Sequence, residues 1–343
     1  MSETKLQWAE NLRALATISV IVLHVTAPLL TSIGSLTSWW IGNIIESSVR
    51  FSVPIFFMLT GSFLFDKDYS TEIFLKKRFL RVVVPFLFWS IIYILFNLTL
   101  KLKHQESLDF YSVLTFITDQ LKNGSSYHLW FVYTLLGIYL FIPIISKWIR
   151  NSTNSEILYF LVIWAITVLF TYPLLSIFET KIDLSYFTGF LGYTILGYYL
   201  RKMNFERSKK KDSIAIFLFS SGLIITISGT YFLFNLKGEK NELFYNYLTL
   251  NVLMCSIGIY LFFKDKYVKN QFVLKCLNLL NSYSYGIYLA HVLILALLTK
   301  AGINCFFIHP LVGIPLTTVV CLLASAIIVY VINKLPFGKY ISG

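Results

Sequence analysis

Residues 12–30 read LRALATISVIVLHVTAPLL. At 1.5 Å per residue, a helix over this stretch approaches the ~30 Å hydrocarbon core of a bilayer. It carries only two ionisable side chains, Arg13 and His24. Nine more apolar runs follow, at 47–65, 82–100, 129–149, 157–175, 186–200, 213–234, 245–263, 277–298 and 310–332. The spacing predicts an all-α polytopic membrane bundle of about ten transmembrane helices. The sixth run, with Gly189, Gly192 and Gly197, has the weakest pattern. With no internal repeat or separate soluble segment, residues 1–343 are expected to form a single transmembrane domain.

Composition supports that expectation. Of 343 residues, 57% are apolar and 13% charged, and the mean hydropathy is +0.70. Soluble domains are nearer ~45–50% apolar and ~25% charged. A soluble globular fold and a disordered chain are both excluded. A β-barrel would show short alternating segments instead of long unbroken runs.

The net charge is +12. In a soluble protein it would suggest nucleic acid; in a membrane protein it reports topology. With the N-terminus inside and ten spans, 21 of the 29 Lys and Arg fall on the inner side and eight on the outer. Both termini are therefore expected in the cytoplasm. The first helix is expected to be retained, since it carries Arg13 and His24 and has no small-residue cleavage pattern. Cys255, Cys276, Cys305 and Cys321 share no metal-ligand spacing and are expected to be small buried hydrophobes. No metal site, P-loop or hydrolase elbow is present in the sequence.

Ionisable groups inside a membrane are costly, so each is a candidate for function. Arg13 and His24 are eleven residues apart, which puts them on one helix face and about 16 Å apart along the axis. Arg13 fits a positive-inside anchor as well as a binding role, and His24 fits an interhelical hydrogen bond as well as catalysis. Glu46 and Arg50 stand at i,i+4 and can pair. Arg50 lies in the outer half, where positive charge is sparse. Arg78 and Arg81, at i,i+3 on the third run, suit either anionic lipid heads or a phosphorylated cytoplasmic ligand. Tyr127 and Trp130 fit an aromatic belt, which leaves His128 between them unexplained. The ninth run, from Asn281 through Ser284, Gly286 and Tyr288 to His291, is unusually polar. His291 is expected at the depth of His24. His104 and His309 lie in outer loops and carry little signal. A mid-membrane carboxylate of the kind a proton-driven carrier keeps is not found.

Taken together, these residues resemble the acyltransferase 3 family of ten-helix bacterial membrane acyltransferases. The likeness covers nearly the whole chain. It runs through Asn11-Leu-Arg13-Ala-Leu-Ala with His24, Phe51-Ser-Val-Pro54-Ile-Phe56-Phe57-Met-Leu-Thr60-Gly61, Arg78-Phe-Leu-Arg81, His128-Leu-Trp130-Phe131, and Gly286-Ile-Tyr288 with His291. One departure is Thr60-Gly61-Ser62, where many members have Ser-Gly-Phe. An extra esterase-like domain is not expected, which makes peptidoglycan a less suitable acceptor.

The resemblance implies transfer of an acyl group, usually acetyl, from cytoplasmic acetyl-CoA to a hydroxyl of an envelope glycan or lipid-linked glycan. A bacterial inner-membrane location is implied with it. Arg13, Arg78 and Arg81 would hold the CoA phosphates. His24 would act as base or form a transient acyl-histidine, and Arg50 or His128 would stabilise the oxyanion or orient the acceptor. Glu46, Trp130, Tyr288 and His291 are further site candidates. No metal and no nucleic acid is expected. A polytopic exporter or flippase of a glycan is the competing expectation, and a sensor or uptake protein a weaker one.

Overall fold

The computed structural model describes residues 4–31, 35–68, 70–103, 109–203, 208–238 and 241–343. Arg207 and Lys240, which enter the charge balance, and His104 lie outside them. Among the described residues the chain is helical throughout, without strands.

Helix α1 (Thr4–Thr26) continues through a turn into α2 (Pro28–Thr31). It is the central helix of the bundle, packed on α3 (Leu36–Val49), α4 (Ser52–Leu64), α13 (Leu250–Phe263), α14 (Gln271–Lys300) and α15 (Pro310–Lys334). The hairpin between the second and third spans carries α5 (Thr71–Arg78). A π-helical turn, Phe79–Val83, joins it to α6 (Val84–Lys103). On the opposite side lies α7 (Phe110–Asn123), none of whose residues is buried. A 3-10 turn, Tyr127–Leu129, leads into α8 (Trp130–Asn151), followed by α9 (Asn154–Leu169), the short α10 (Pro173–Ser176) and α11 (Leu191–Lys202). Helix α12 (Lys209–Lys237) pairs with α13 along most of its length, and α16 (Gly338–Ile341) folds back on α15 and α6.

Among the described residues, eight helices are long and apolar enough to cross a membrane. The fifth and sixth expected spans differ. They form α9 and α11, about 24 Å and 18 Å long by the helical rise, short of the ~30 Å core. Pro173 stops the first of them, because the backbone leaves helix at Phe170 before a residue that cannot donate a hydrogen bond. Gly189, in the left-handed region at φ 84°, precedes the second.

The second span breaks at Arg50–Phe51, between α3 and α4. Pro54 explains the break, since it has no N–H to donate to the carbonyl of Arg50 one turn earlier. Helix α11 compensates for its shortness by close packing on α4. A Cβ added at Gly61 would sit 1.8 Å from Thr194 O, and one at Gly197 would sit 2.0 Å from Met58 O. The two backbones touch, as small residues permit between membrane helices. At the C-terminal end of α13, Lys264 Nζ donates to Leu200 O at 2.8 Å and Met203 O at 2.5 Å, which closes the end of α11. Burial holds the Lys264 ammonium below its usual pKa. Cys255, Cys305 and Cys321 are buried as expected, whereas Cys276 is exposed.

Candidate active site

Two chambers open at opposite ends of α1. The inner one, of about 670 Å³, lies at the Arg13 end. Arg13, Arg78 and Arg81 all line it, together with Lys67 and Lys339. Among its described lining residues there is no Asp or Glu, so every charged side chain in the chamber wall is cationic. Arg13 is half-buried, and its Nη1 donates to Asn281 Oδ1 at 3.2 Å across the α1–α14 contact. Arg78 lies over the rings of Phe74, at 5.4 Å, and Tyr139, at 5.3 Å. The π turn corrects the expected α-helical face for Arg78 and Arg81. The wider turn changes their angular relation, and both still reach the same chamber. Nothing in Phe79–Val83 signals a π turn by composition.

The deep wall of this chamber is apolar and aromatic, with Phe56, Phe131, Leu135 and Tyr288 among its residues. Beyond it is the outer chamber, of about 630 Å³, lined by His24, Glu46, Arg50, Tyr127, Trp130, Glu242, Tyr245 and Tyr247 among others. Adjacent residues divide the two spaces, since Phe131 lines the inner and Trp130 the outer.

Three imidazoles stand between the chambers. Ring centres are 5.2 Å apart for His24–His291, 5.0 Å for His128–His291 and 6.4 Å for His24–His128. The expected common depth of His24 and His291 is borne out. His24 borders the outer chamber and, among the described residues, makes no hydrogen bond. His291 is fully buried, and its Nδ1 lies 2.5 Å from Tyr288 O. A carbonyl only accepts, so Nδ1 carries the hydrogen and Nε2 holds the lone pair. The Nε2 atoms of His128 and His291 are both buried without a partner among the described residues, which is costly unless a ligand or proton serves them. Ser126 Oγ lies 3.0 Å from His128 Nδ1, and Tyr288 donates its hydroxyl to His128 O. The 3-10 turn that carries His128 is thereby fixed to α14. Among the described residues no group of His, Cys, Asp or Glu has the arrangement of a metal site.

Arg50 and Glu46 form the expected pair, buried in the outer chamber wall. Arg50 Nη1 also donates to Tyr245 O at 3.2 Å, and its guanidinium lies 4.4 Å from the Tyr245 ring centre. Among the described residues, Glu46 Oε2 and Arg50 Nε have no hydrogen-bond partner. Trp130 stacks on Tyr247 at 5.7 Å. The belt account of Trp130 is therefore incomplete, because its ring is part of the chamber wall.

All ten candidate residues fall into this one assembly. Sequence reasoning missed Tyr139, Tyr245, Tyr247 and Asn43. Asn43 Oδ1 accepts from Tyr245 OH at 2.7 Å and from Ser47 Oγ at 3.2 Å. A buried asparagine in an apolar helix was a usable signal, by the same rule that singles out ionisable groups. The tyrosines were hidden in a chain with 22 of them.

The family model described as an acyltransferase domain, of the acyltransferase 3 type, matches residues 6–332. No curated protein and no solved structure matches.

Proposed function

We propose, from the premise that the chain belongs to the acyltransferase 3 family and is a membrane acyltransferase, that its donor is cytoplasmic acyl-CoA and its acceptor a glycan hydroxyl. The acyl group is acetyl in the first instance. One observation carries the reading: a chamber whose charged side chains are all cationic and an aromatic chamber meet at three imidazoles.

The phosphates of acetyl-CoA suit Arg13, Arg78 and Arg81, whose planar forks grip phosphate oxygens. The pantetheine arm is uncharged and suits the apolar deep wall. It would carry the thioester along α1 from Arg13 towards His24. Sugar rings suit the outer chamber, where Trp130 and Tyr247 offer flat faces and Glu46, Arg50 and Asn246 offer polar groups.

His24 then takes the proton of the acceptor hydroxyl as its oxygen attacks the thioester carbonyl carbon. The tetrahedral adduct collapses with cleavage of the C–S bond. The departing CoA thiolate recovers the proton from the imidazolium, and the products are the glycan ester and free CoA. A transient acyl-histidine on His24 is the two-step form of the same exchange. Ser126 against Nδ1 permits His128 to carry its hydrogen on Nε2, where it can stabilise the oxyanion. The two Nη groups of Arg50 are already committed to Glu46 and Tyr245 O, which favours a role in orienting the acceptor.

The stretches Val49-Arg50-Phe-Ser-Val-Pro54 and Tyr127-His128-Leu-Trp130-Phe131 are similar to the O-acetyltransferase of enterobacterial common antigen. That likeness supports a cell-envelope or surface polysaccharide as acceptor and a bacterial inner-membrane location. Incubating membranes that contain the protein with labelled acetyl-CoA tests the reading. Label in glycan is expected. Glycan that crosses the bilayer without gaining label would support a carrier instead.

A further inference from the structure

The link between α4 and α5 reads Asp66-Lys67-Asp68 and lies at the mouth of the inner chamber. Its two carboxylates are engaged elsewhere. Asp66 pairs with Arg201 of α11 at 2.9 Å, and Asp68 with Arg150 of α8 at 2.8 Å. Arg150 Nη1 also donates to Lys67 O at 3.1 Å and to Phe65 O at 3.4 Å. The backbone of Lys67 is thus clamped, its acidic neighbours pair with other helices, and Lys67 itself lines the chamber.

Lys339, on α16, also lines the chamber. That turn is seated against α15 and α6: Asn333 Nδ2 donates to Ser342 Oγ at 3.0 Å, and Trp89 Nε1 to Ser342 O at 3.4 Å. Arg13 and Arg78 are half-buried in the throat, whereas Arg81, Lys67 and Lys339 are exposed at the mouth. The cations therefore form two tiers.

CoA carries phosphate at two separate places, a diphosphate next to the pantetheine and a 3′-phosphomonoester on the ribose. With the thioester pointed towards His24, the diphosphate is the deeper of the two. We infer that Lys67 and Lys339 form a second phosphate subsite, at the mouth, that reads the 3′-phosphate of the donor. The subsite rests on the acyl-CoA reading above. Compact ammonium charges on braced backbone suit a terminal phosphomonoester, which offers oxygens over a wide angle instead of the planar edge that guanidinium prefers. The chamber would then select full CoA over carriers that end at the diphosphate.

The test is the affinity of purified full-length protein for CoA and for 3′-dephospho-CoA, in the wild type and in Lys67→Gln, Lys339→Gln and the double variant. Wild type should prefer CoA by about tenfold or more, in keeping with a charge-assisted phosphate contact. Each replacement should weaken CoA binding and leave dephospho-CoA binding within about twofold, so that the double variant binds the two alike. Retained dephospho-CoA affinity also shows that the variant is folded. Equal losses for both ligands, or no loss for either, would overturn the subsite and leave the donor reading standing. A wild type that binds neither ligand would overturn the donor reading and the subsite with it.

Discussion

The imidazole of His24 on α1 lies 5.2 Å from that of His291 on α14, ring centre to ring centre, where the two chambers meet. The same two helices carry Arg13 against Asn281 about three turns nearer the inner end. One helix contact thus places both the Arg13 end of the cationic chamber and the imidazole cluster. Because His24 makes no hydrogen bond among the described residues, His24→Ala strands no partner and should leave folding intact. Acyl transfer should fall by about 10²–10⁴-fold, the usual scale of a lost general base. His291→Phe keeps a ring of similar size in the same packing. A large loss of transfer in that variant at unchanged thermal stability is expected; full activity would make His291 a packing residue.

Arg78 and Arg81 should act on donor binding. Replacing either with Gln removes a charge-assisted contact of about 1.5–3 kcal/mol, hence raises KM for acetyl-CoA about tenfold to a hundredfold. kcat at saturating donor should change little. Steady-state kinetics with varied acetyl-CoA check this, and a fall in kcat at unchanged KM would contradict it.

Glu46 and Arg50 are buried together, so each single replacement leaves a buried charge without its partner. Glu46→Ala or Arg50→Ala should cost about 3–5 kcal/mol. Thermal unfolding in detergent reads this as a lowered midpoint. The double replacement by Met should be less destabilised than the sum of the singles, because no uncompensated charge remains. Strictly additive losses would mean that the pair is not coupled.

The α4–α11 contact supports the site from below. Gly197→Ala would place a methyl group 2.0 Å from Met58 O. The helices would have to separate, and a cost of about 1–3 kcal/mol is expected. Gly137→Ala is the control, because a Cβ there meets nothing within 4 Å, and it should be neutral or slightly stabilising. Thermal midpoints of the two variants in the same detergent make the comparison.

Much of this arrangement is legible in the amino-acid sequence. Apolar runs locate the long helices, since each run needs a bilayer's length to satisfy its backbone in lipid. The scarcity of ionisable groups in those runs points to Arg13, His24, Arg50 and His291. The i,i+4 spacing identifies the Glu46–Arg50 pair. What is not legible depends on long-range packing. The short α9 and α11 have the composition of spans, and only contacts with α4 and the stop at Pro173 decide their length. The π turn between Arg78 and Arg81 has no compositional mark. Tyr139, Tyr245 and Tyr247 gain their places from neighbours more than 50 residues away along the chain, such as Arg78 and Arg50.

The two-chamber account is tested most directly with sealed membrane vesicles of defined orientation that contain the protein and an acceptor glycan. Labelled acetyl-CoA, which does not cross the bilayer, is supplied to one face at a time. The account predicts label in glycan only when acetyl-CoA reaches the face bearing Arg13, Arg78 and Arg81, with no transfer by the His24→Ala variant. Transfer from acetyl-CoA supplied at the opposite face, or undiminished transfer by His24→Ala, would contradict it.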